Sequence, residues 1–147
     1  MRITRARMSD VRPLVLIMKE WVRETPWMPV LHQEPEDLKF MRHLIDDFEV
    51  TVIRGVMGGP QGFLARDGQI IHALYMRRGM RGRRYGKTLL DRVKGIEPRL
   101  ELWTFQQNER ARKFYAREAF QEVEMTDGAG NDEKLPDVRM VWEKGDD

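Results

Sequence analysis

Apolar residues recur along the chain with two different periods, and each change of period marks a predicted element. Arg2 to Arg7 alternates as a first strand. Ser9 or Asp10 is placed to cap a helix in which Pro13 still falls in the tolerant first turn. Val11, Leu14, Val15, Met18 and Val22 give that helix an apolar stripe running to about Glu24. The segment TPWMPVLHQEPED, with three prolines, then breaks the periodicity. Pro35 to Phe48 predicts a second helix, with Leu38, Met41, Ile45 and Phe48 on one face. Glu49 to Arg54 and Gln61 to Arg66 follow as strands joined through GVMGGPQG, and Asp67-Gly68 is a hairpin signal before a strand over Gln69 to Met76. A helix to about Lys94, a strand over Arg99 to Thr104 and a helix over Asn108 to about Glu118 come next. Phe120 to Met125 and Val138 to Glu143 are the closing strands, joined by the polar loop TDGAGNDEKLP. The order βααβββαβαββ predicts an α+β fold with a mostly antiparallel mixed sheet of about seven strands. No internal repeat or interdomain linker interrupts it, so residues 1–147 are expected to form a single domain.

The stretch from Met76 to Leu90, MRRGMRGRRYGKTLL, joins an apolar strand to a helix through a basic, glycine-spaced turn. Gly86, Leu89, Leu90 and Val93 fall at helical spacing and leave a small, apolar face to lie on a sheet. Residues 77 to 87 carry six positive charges and no acid, whereas residues 118 to 147 hold ten acidic residues against three basic. Glycines allow close backbone approach, and the first amides of a helix have no intrahelical partner. With the positive end of the helix dipole these features predict a phosphate or pyrophosphate site. Taken alone, the turn is equally compatible with an exposed loop bearing a solvated charged face. It has neither the Walker spacing nor the dinucleotide fingerprint.

LYMRRGMRGRRYGKTLL resembles the acyl-CoA-binding segment of the GNAT superfamily of N-acyltransferases, a strand ending in LYV, a turn and then [QR]-x-x-G-x-[GA]. Arg81 matches the opening residue and Gly86 the closing one, while Arg84 stands where the family usually has its middle glycine. Downstream, Asn108, Ala111, Phe114, Tyr115 and Ala119-Phe120 resemble N-x-x-A-x-x-F-Y-x-x-x-G-F, with Ala119 in place of the usual glycine. The resemblance covers Gln69 to Phe120, and the N-terminal half matches only in its order of elements. It implies a GNAT-like fold, helices on both sheet faces, and two strands splayed around the central helix to admit acetyl-CoA as acyl donor. The implied donor-binding set is Leu74, Tyr75 and Met76 on the strand, Arg81, Gly82, Arg83, Arg84, Tyr85, Gly86 and Lys87 in the turn, and Asn108. Asn108 is equally explained as a helix cap.

Transfer of an acetyl group to a primary amine needs a neutral amine, a polarised carbonyl and a proton for the departing thiolate. A free lysine-type amine has a pKa of about 10.4 and must first lose a proton. Strand amides at Leu74 to Met76 are available to polarise the carbonyl. Tyr115 matches the family's helix tyrosine and is the candidate acid; its alternative is an aromatic that only packs, as expected of Phe114. His72 shares a strand face with Leu74 and Met76 by alternation and is a candidate base, beside the alternatives of a structural histidine, His32 and Glu101. Trp27 and His32 lie in the proline-broken loop, expected to line the acceptor pocket or to plug the core. The three histidines lack metal-ligand spacing, and no metal is expected.

The 147 residues are 41% apolar, carry a net charge of +2 and include no cysteine, which excludes disulfides and thiolate chemistry. The N-terminus MRITRARMSD has no apolar core, and no apolar run approaches the roughly 18 residues of a membrane span, so a cytoplasmic enzyme is expected, with no membrane partner. A local basic turn in a nearly neutral chain, without interleaved stacking aromatics beyond Tyr85, argues against nucleic acid. The expectation is an N-acetyltransferase acting on a small-molecule or peptide amine by direct attack in a ternary complex. A noncatalytic acyl-CoA-binding sensor is the alternative, and a homodimer is left open.

Overall fold

The computed structural model describes residues 1–81 and 84–145. Its strands are β1 (Arg2–Arg5), β2 (Glu49–Arg54), β3 (Pro60–Asp67), β4 (Ile70–Met76), β5 (Arg99–Phe105), β6 (Gln121–Thr126) and β7 (Asp137–Glu143). The helices are α1 (Val11–Glu24), α2 (Glu34–Asp47), α3 (Tyr85–Lys94) and α4 (Glu109–Arg117). Each predicted element forms within a residue or two of its expected bounds, in the expected order. The sheet has seven strands in the order β1-β2-β3-β4-β5-β7-β6. All neighbours are antiparallel except β4 and β5.

Two cores sandwich the sheet. On one face, Val11, Leu14, Val15 and Ile17 of α1 and Met41 and Leu44 of α2 bury against Val50, Val52, Phe63, Ala65 and Ala73. On the other, Leu89, Leu90 and Val93 of α3 join Tyr115 and Phe120 over Leu64, Ile71, Leu100, Leu102 and Met140. The apolar stripe of α3 is the predicted one. In α1, the predicted stripe gains Ile17, which is buried, while the neighbouring Leu16 points to solvent.

Asp10 sits at the start of α1, yet its carboxylate does not cap that helix. It accepts the Arg7 backbone N–H at 2.8 Å and two bonds from the Arg54 guanidinium, at 3.0 and 2.7 Å. Burial explains the choice. Arg54 is only 8% exposed, and a buried guanidinium without a carboxylate would cost far more than a missing cap. The same arginine donates to Thr4 Oγ1 and to the Gly58 carbonyl, tying β1, β2 and the β2–β3 turn together. Arg66 is held in the same way by Glu49, Glu97 and the Gly68 carbonyl.

Two irregularities in β4 shape everything that follows. Ala65 pairs with Ala73 and Arg66 with Ile71, so His72 is an extra residue on β4, a bulge. Alternation breaks there: Ile71 belongs to the α3-side core, Ala73 to the α1-side core, and Leu74 packs with α3 again. Second, β4 and β5 pair only at Ile70–Glu101 and Ile71–Leu102. Beyond that point the two strands part.

Candidate active site

The gap between the parted strands is a cleft of about 980 Å³ lined from β4, β5, α1, α3 and α4. On β4, the Arg77 N–H donates to the Gln61 carbonyl at 2.8 Å. Hydrogen-bonded positions alternate along an antiparallel strand, so Tyr75 and Ala73 also face β3, and the amides of Leu74 and Met76 turn toward the gap. With no strand opposite them, these are donors available to a ligand that lies along β4.

At the foot of the cleft, α3 begins at Arg84, whose backbone is left-handed at φ 66°. That is the region glycine favours, and it explains why a glycine usually stands at this point of the motif. The arginine keeps the turn's backbone shape and directs an exposed guanidinium outward. Gly86, the second residue of α3, lines the cleft with Phe114 of α4 opposite. A Cβ there would lie 3.6 Å from the Phe114 ring, an ordinary contact, so the glycine leaves the space open to a ligand without being demanded by the fold. Gly82 and Arg83 lie outside the described residues.

Three cations of the turn, Arg78, Arg81 and Lys87, are already engaged. Arg81 binds Glu24 at the end of α1, and Arg78 approaches the same carboxylate at 3.6 Å. The Arg81 hydrogen bond is the main cause that holds the Glu24 carboxyl below its ordinary value. Lys87 binds Glu118 and Asp91, each at 3.2 Å, which raises its pKa. Arg81 and Glu24 are 18% and 24% exposed at the side chain and Lys87 is 42% exposed. Because these pairs border the open cleft, an incoming phosphate can compete for the same guanidinium and ammonium groups.

Tyr115 of α4 is 8% exposed and lines the cleft in edge contact with Phe114 (5.1 Å) and Phe120 (5.4 Å). Burial pushes its phenol pKa up, with the nearby Tyr75 phenol adding to the effect. Tyr75 itself, tilted against Phe63 on the α1 side, is pushed up to about 12, again mainly by burial. Both phenols therefore remain protonated at neutral pH and both line one cleft. Asn108 is the cap of α4: its side-chain oxygen accepts the Ala111 N–H at 3.1 Å, and it stands at the cleft wall. Tyr85 lines the cleft while packing on the α3-side core.

The bulge corrects the expected placement of His72. Alternation puts it with Leu74 and Met76, whereas the extra residue turns it to the opposite face. There the imidazole stacks on Phe48 at 4.7 Å and an interplanar angle of 10°. Trp27 reaches the cleft, edge-on to Trp21 and to Phe105. His32 does not: it is exposed and paired with Glu36 at 2.8 Å, a bond that raises its pKa. Trp21, Trp103 and Phe105 are cleft residues that the sequence reading passed over. They come from α1 and β5, and only the parting of β4 from β5 makes them neighbours.

A cleft open along β4, amides aimed into it, a left-handed turn before α3 and paired cations at its foot fit a coenzyme A thioester. The chain's similarities agree. The sequence profile of the acetyltransferase (GNAT) family matches residues 8–120. No curated protein sequence matches the chain. Among solved structures, apo YjaB from Escherichia coli superposes with a TM-score of 0.81 at 22% identity, covering 98% of each chain. A ribosomal-protein-alanine N-acetyltransferase from Brucella melitensis superposes at 0.75 with 18% identity, over 97% of this chain and 99% of that one. The acetyl-CoA complex of yncA from Salmonella typhimurium gives 0.73 at 16% identity, over 100% and 95%. At these identities the structures speak for the fold, and the profile match speaks for the family: the chain belongs to the acetyltransferase (GNAT) family and is an acyltransferase that uses acetyl-CoA.

Proposed function

We propose that this enzyme acetylates a primary amine by direct attack in a ternary complex, with Tyr115 as the proton donor. The observation that carries the reading is the buried Tyr115 phenol facing the gap into which the Leu74 and Met76 amides also point. Acetyl-CoA supplies an activated carbonyl and a thiolate leaving group. The two strand amides would bind and polarise along β4, while Arg81, Arg84 and Lys87 would hold the phosphates at the start of α3. Burial keeps Tyr115 protonated at neutral pH, so the phenol stands as a hydrogen-bond and proton donor beside the departing thiolate. In the balance, the amine nitrogen gains the acetyl group and gives up one proton, and the thiol takes one from Tyr115, which is refilled from solvent.

The yncA structure contains acetyl-CoA, and the alanine acetyltransferase's name specifies an amine acceptor. Both support this assignment. His72 lines the cleft but stacks on Phe48, off the face of Leu74 and Met76, and we assign deprotonation of the amine to water or to desolvation.

Tyr115→Phe tests the reading, because it removes the hydroxyl and keeps the packing of the ring. The expected outcome is a kcat lowered by about 10²-fold or more with little change in acetyl-CoA binding. Steady-state thiol release with a panel of amines, alongside titration of acetyl-CoA by calorimetry, measures both. An unchanged kcat where chemistry limits the rate removes Tyr115 from the reaction.

A further inference from the structure

The cleft has two unlike walls. The α3 side offers Leu74, Met76 and Tyr115. The α1 side is built of aromatic rings in edge contact: Tyr75 with Trp21 at 5.7 Å, Trp21 with Trp27 at 5.9 Å and Trp27 with Phe105 at 5.8 Å. This chain of rings crosses from β4 through α1 to β5. Trp103, two residues before Phe105 and so on the same face of β5, extends it and remains 44% exposed. A tryptophan left open to water at the floor of a cleft is surface that a bound apolar group would cover.

The charges at this wall point the same way. An acceptor that carries several ammonium groups is recognised by free carboxylates. Of the carboxylates at the cleft, Glu24 is held by Arg81 and Arg78, Glu118 by Lys87 and Lys94, and Glu109 stands in the first turn of α4. Around the rings the polar groups are the Tyr75 phenol, kept protonated, His72, Gln107 and the hydroxyls of Thr25 and Thr104, with the Glu133 carboxylate close enough to act on the Tyr75 phenol. That set suits one ammonium rather than several.

We infer that the acceptor is an arylalkylamine, a single primary amine on an aromatic body, whose ring lies against Trp27, Trp103 and Phe105 while its nitrogen reaches the donor beside Tyr75. The inference rests on the acetyl-transfer reading of this cleft. It also accounts for a reaction without a well-placed base. An ammonium enclosed by aromatic and aliphatic side chains loses its hydration, which disfavours the charged form and yields the neutral nucleophile. The ring contacts set KM, and enclosure of the nitrogen sets the fraction able to react.

The test compares phenethylamine and tryptamine with ethylamine, spermidine and a lysine-containing peptide, following thiol release from acetyl-CoA. The arylalkylamines should show kcat/KM at least about tenfold above spermidine and the peptide. Trp103→Ala, at an exposed position, and Trp27→Ala should each raise KM for phenethylamine by roughly tenfold, and that for ethylamine by clearly less. Preference for spermidine or the peptide, or equal losses for phenethylamine and ethylamine in both variants, overturns the proposal. A second measurement separates it from the transfer reading: phenethylamine titrated against tryptophan fluorescence in the presence of CoA. Binding that Trp27→Ala weakens, with no amine acetylated, upholds the aromatic site and defeats acetyl transfer. Acetylation without any aryl preference upholds transfer and defeats the aromatic site.

Discussion

Arg54, under the start of α1, and Arg66, beside the C-terminal end of α3, are each 8% exposed and each held by carboxylate and a backbone carbonyl. Arg81 and Lys87 stand at the foot of the cleft and are also paired, with Glu24 and Glu118. The chemistry of the pairs is the same, and their settings make them opposites. In the interior, losing one partner strands a charge where water cannot reach it, so the pair locks the strands. At the foot of the cleft, an anion entering the open space can take the partner's place, so the pair is a holding position that a ligand can displace.

The sharpest way to break this contrast is Asp10→Ala. It leaves the Arg54 guanidinium buried without its carboxylate and is expected to cost about 3–5 kcal/mol in chemical denaturation. Replacing both members with apolar residues, as Asp10→Leu with Arg54→Met, should recover most of that loss. If Asp10→Ala proves as mild as a surface substitution, the interior pair is not locking anything. Acid probes the same pair more gently. Burial alone would raise the Asp10 pKa, but the Arg54 and Arg7 hydrogen bonds outweigh it and hold the folded value below the ordinary 3.8. Its ionised form therefore contributes stability that is complete above the unfolded pKa and is lost as pH falls through the lower, folded value. Denaturation midpoints measured from pH 7 down to pH 2.5 should decline, and Asp10→Asn should flatten that decline.

The cleft pairs should respond in the reverse sense. Arg81→Gln is expected to leave stability within about 1 kcal/mol and to raise the KM for acetyl-CoA by roughly tenfold at low salt, the gap narrowing as ionic strength rises. A large stability loss with an unchanged KM would put Arg81 with the interior arginines. The smallest expected effect is at Ala119, whose φ is 71°. A left-handed alanine costs about 1–2 kcal/mol, part of which glycine's freer unfolded chain offsets. Ala119→Gly should then stabilise by about 0.5 kcal/mol, a rise of roughly 1–2 °C in Tm.

The same molecule shows where a sequence can be read and where it cannot. Strands and helices were legible because apolar periodicity is local, and the stripe Leu89, Leu90 and Val93 lies as its spacing predicts. The turn before α3 was legible through its glycines and cations. Asp10 was not: a cap is judged from its neighbours, whereas its actual partner, Arg54, is 44 residues away. The replaced glycines, Arg84 and Ala119, look in the sequence like lost features, yet both positions keep the left-handed backbone. Trp21 and Phe105 carry no local signal, since they meet through Trp27 only once the sheet has opened.

His72 carries the widest consequence, because one surplus residue shifts the phase of β4 by half a period. Without it, Leu74 and Tyr75 would trade sides, and the strand could not present an aliphatic wall to one substrate and a phenol to the other. On the inferred placement of the amine at the ring wall, the bulge makes the end of β4 a partition between two selectivities that can be altered separately. A change at Leu74 or Met76 should shift which acyl donor is accepted while leaving the amine preference alone, and a change at Tyr75 should do the converse.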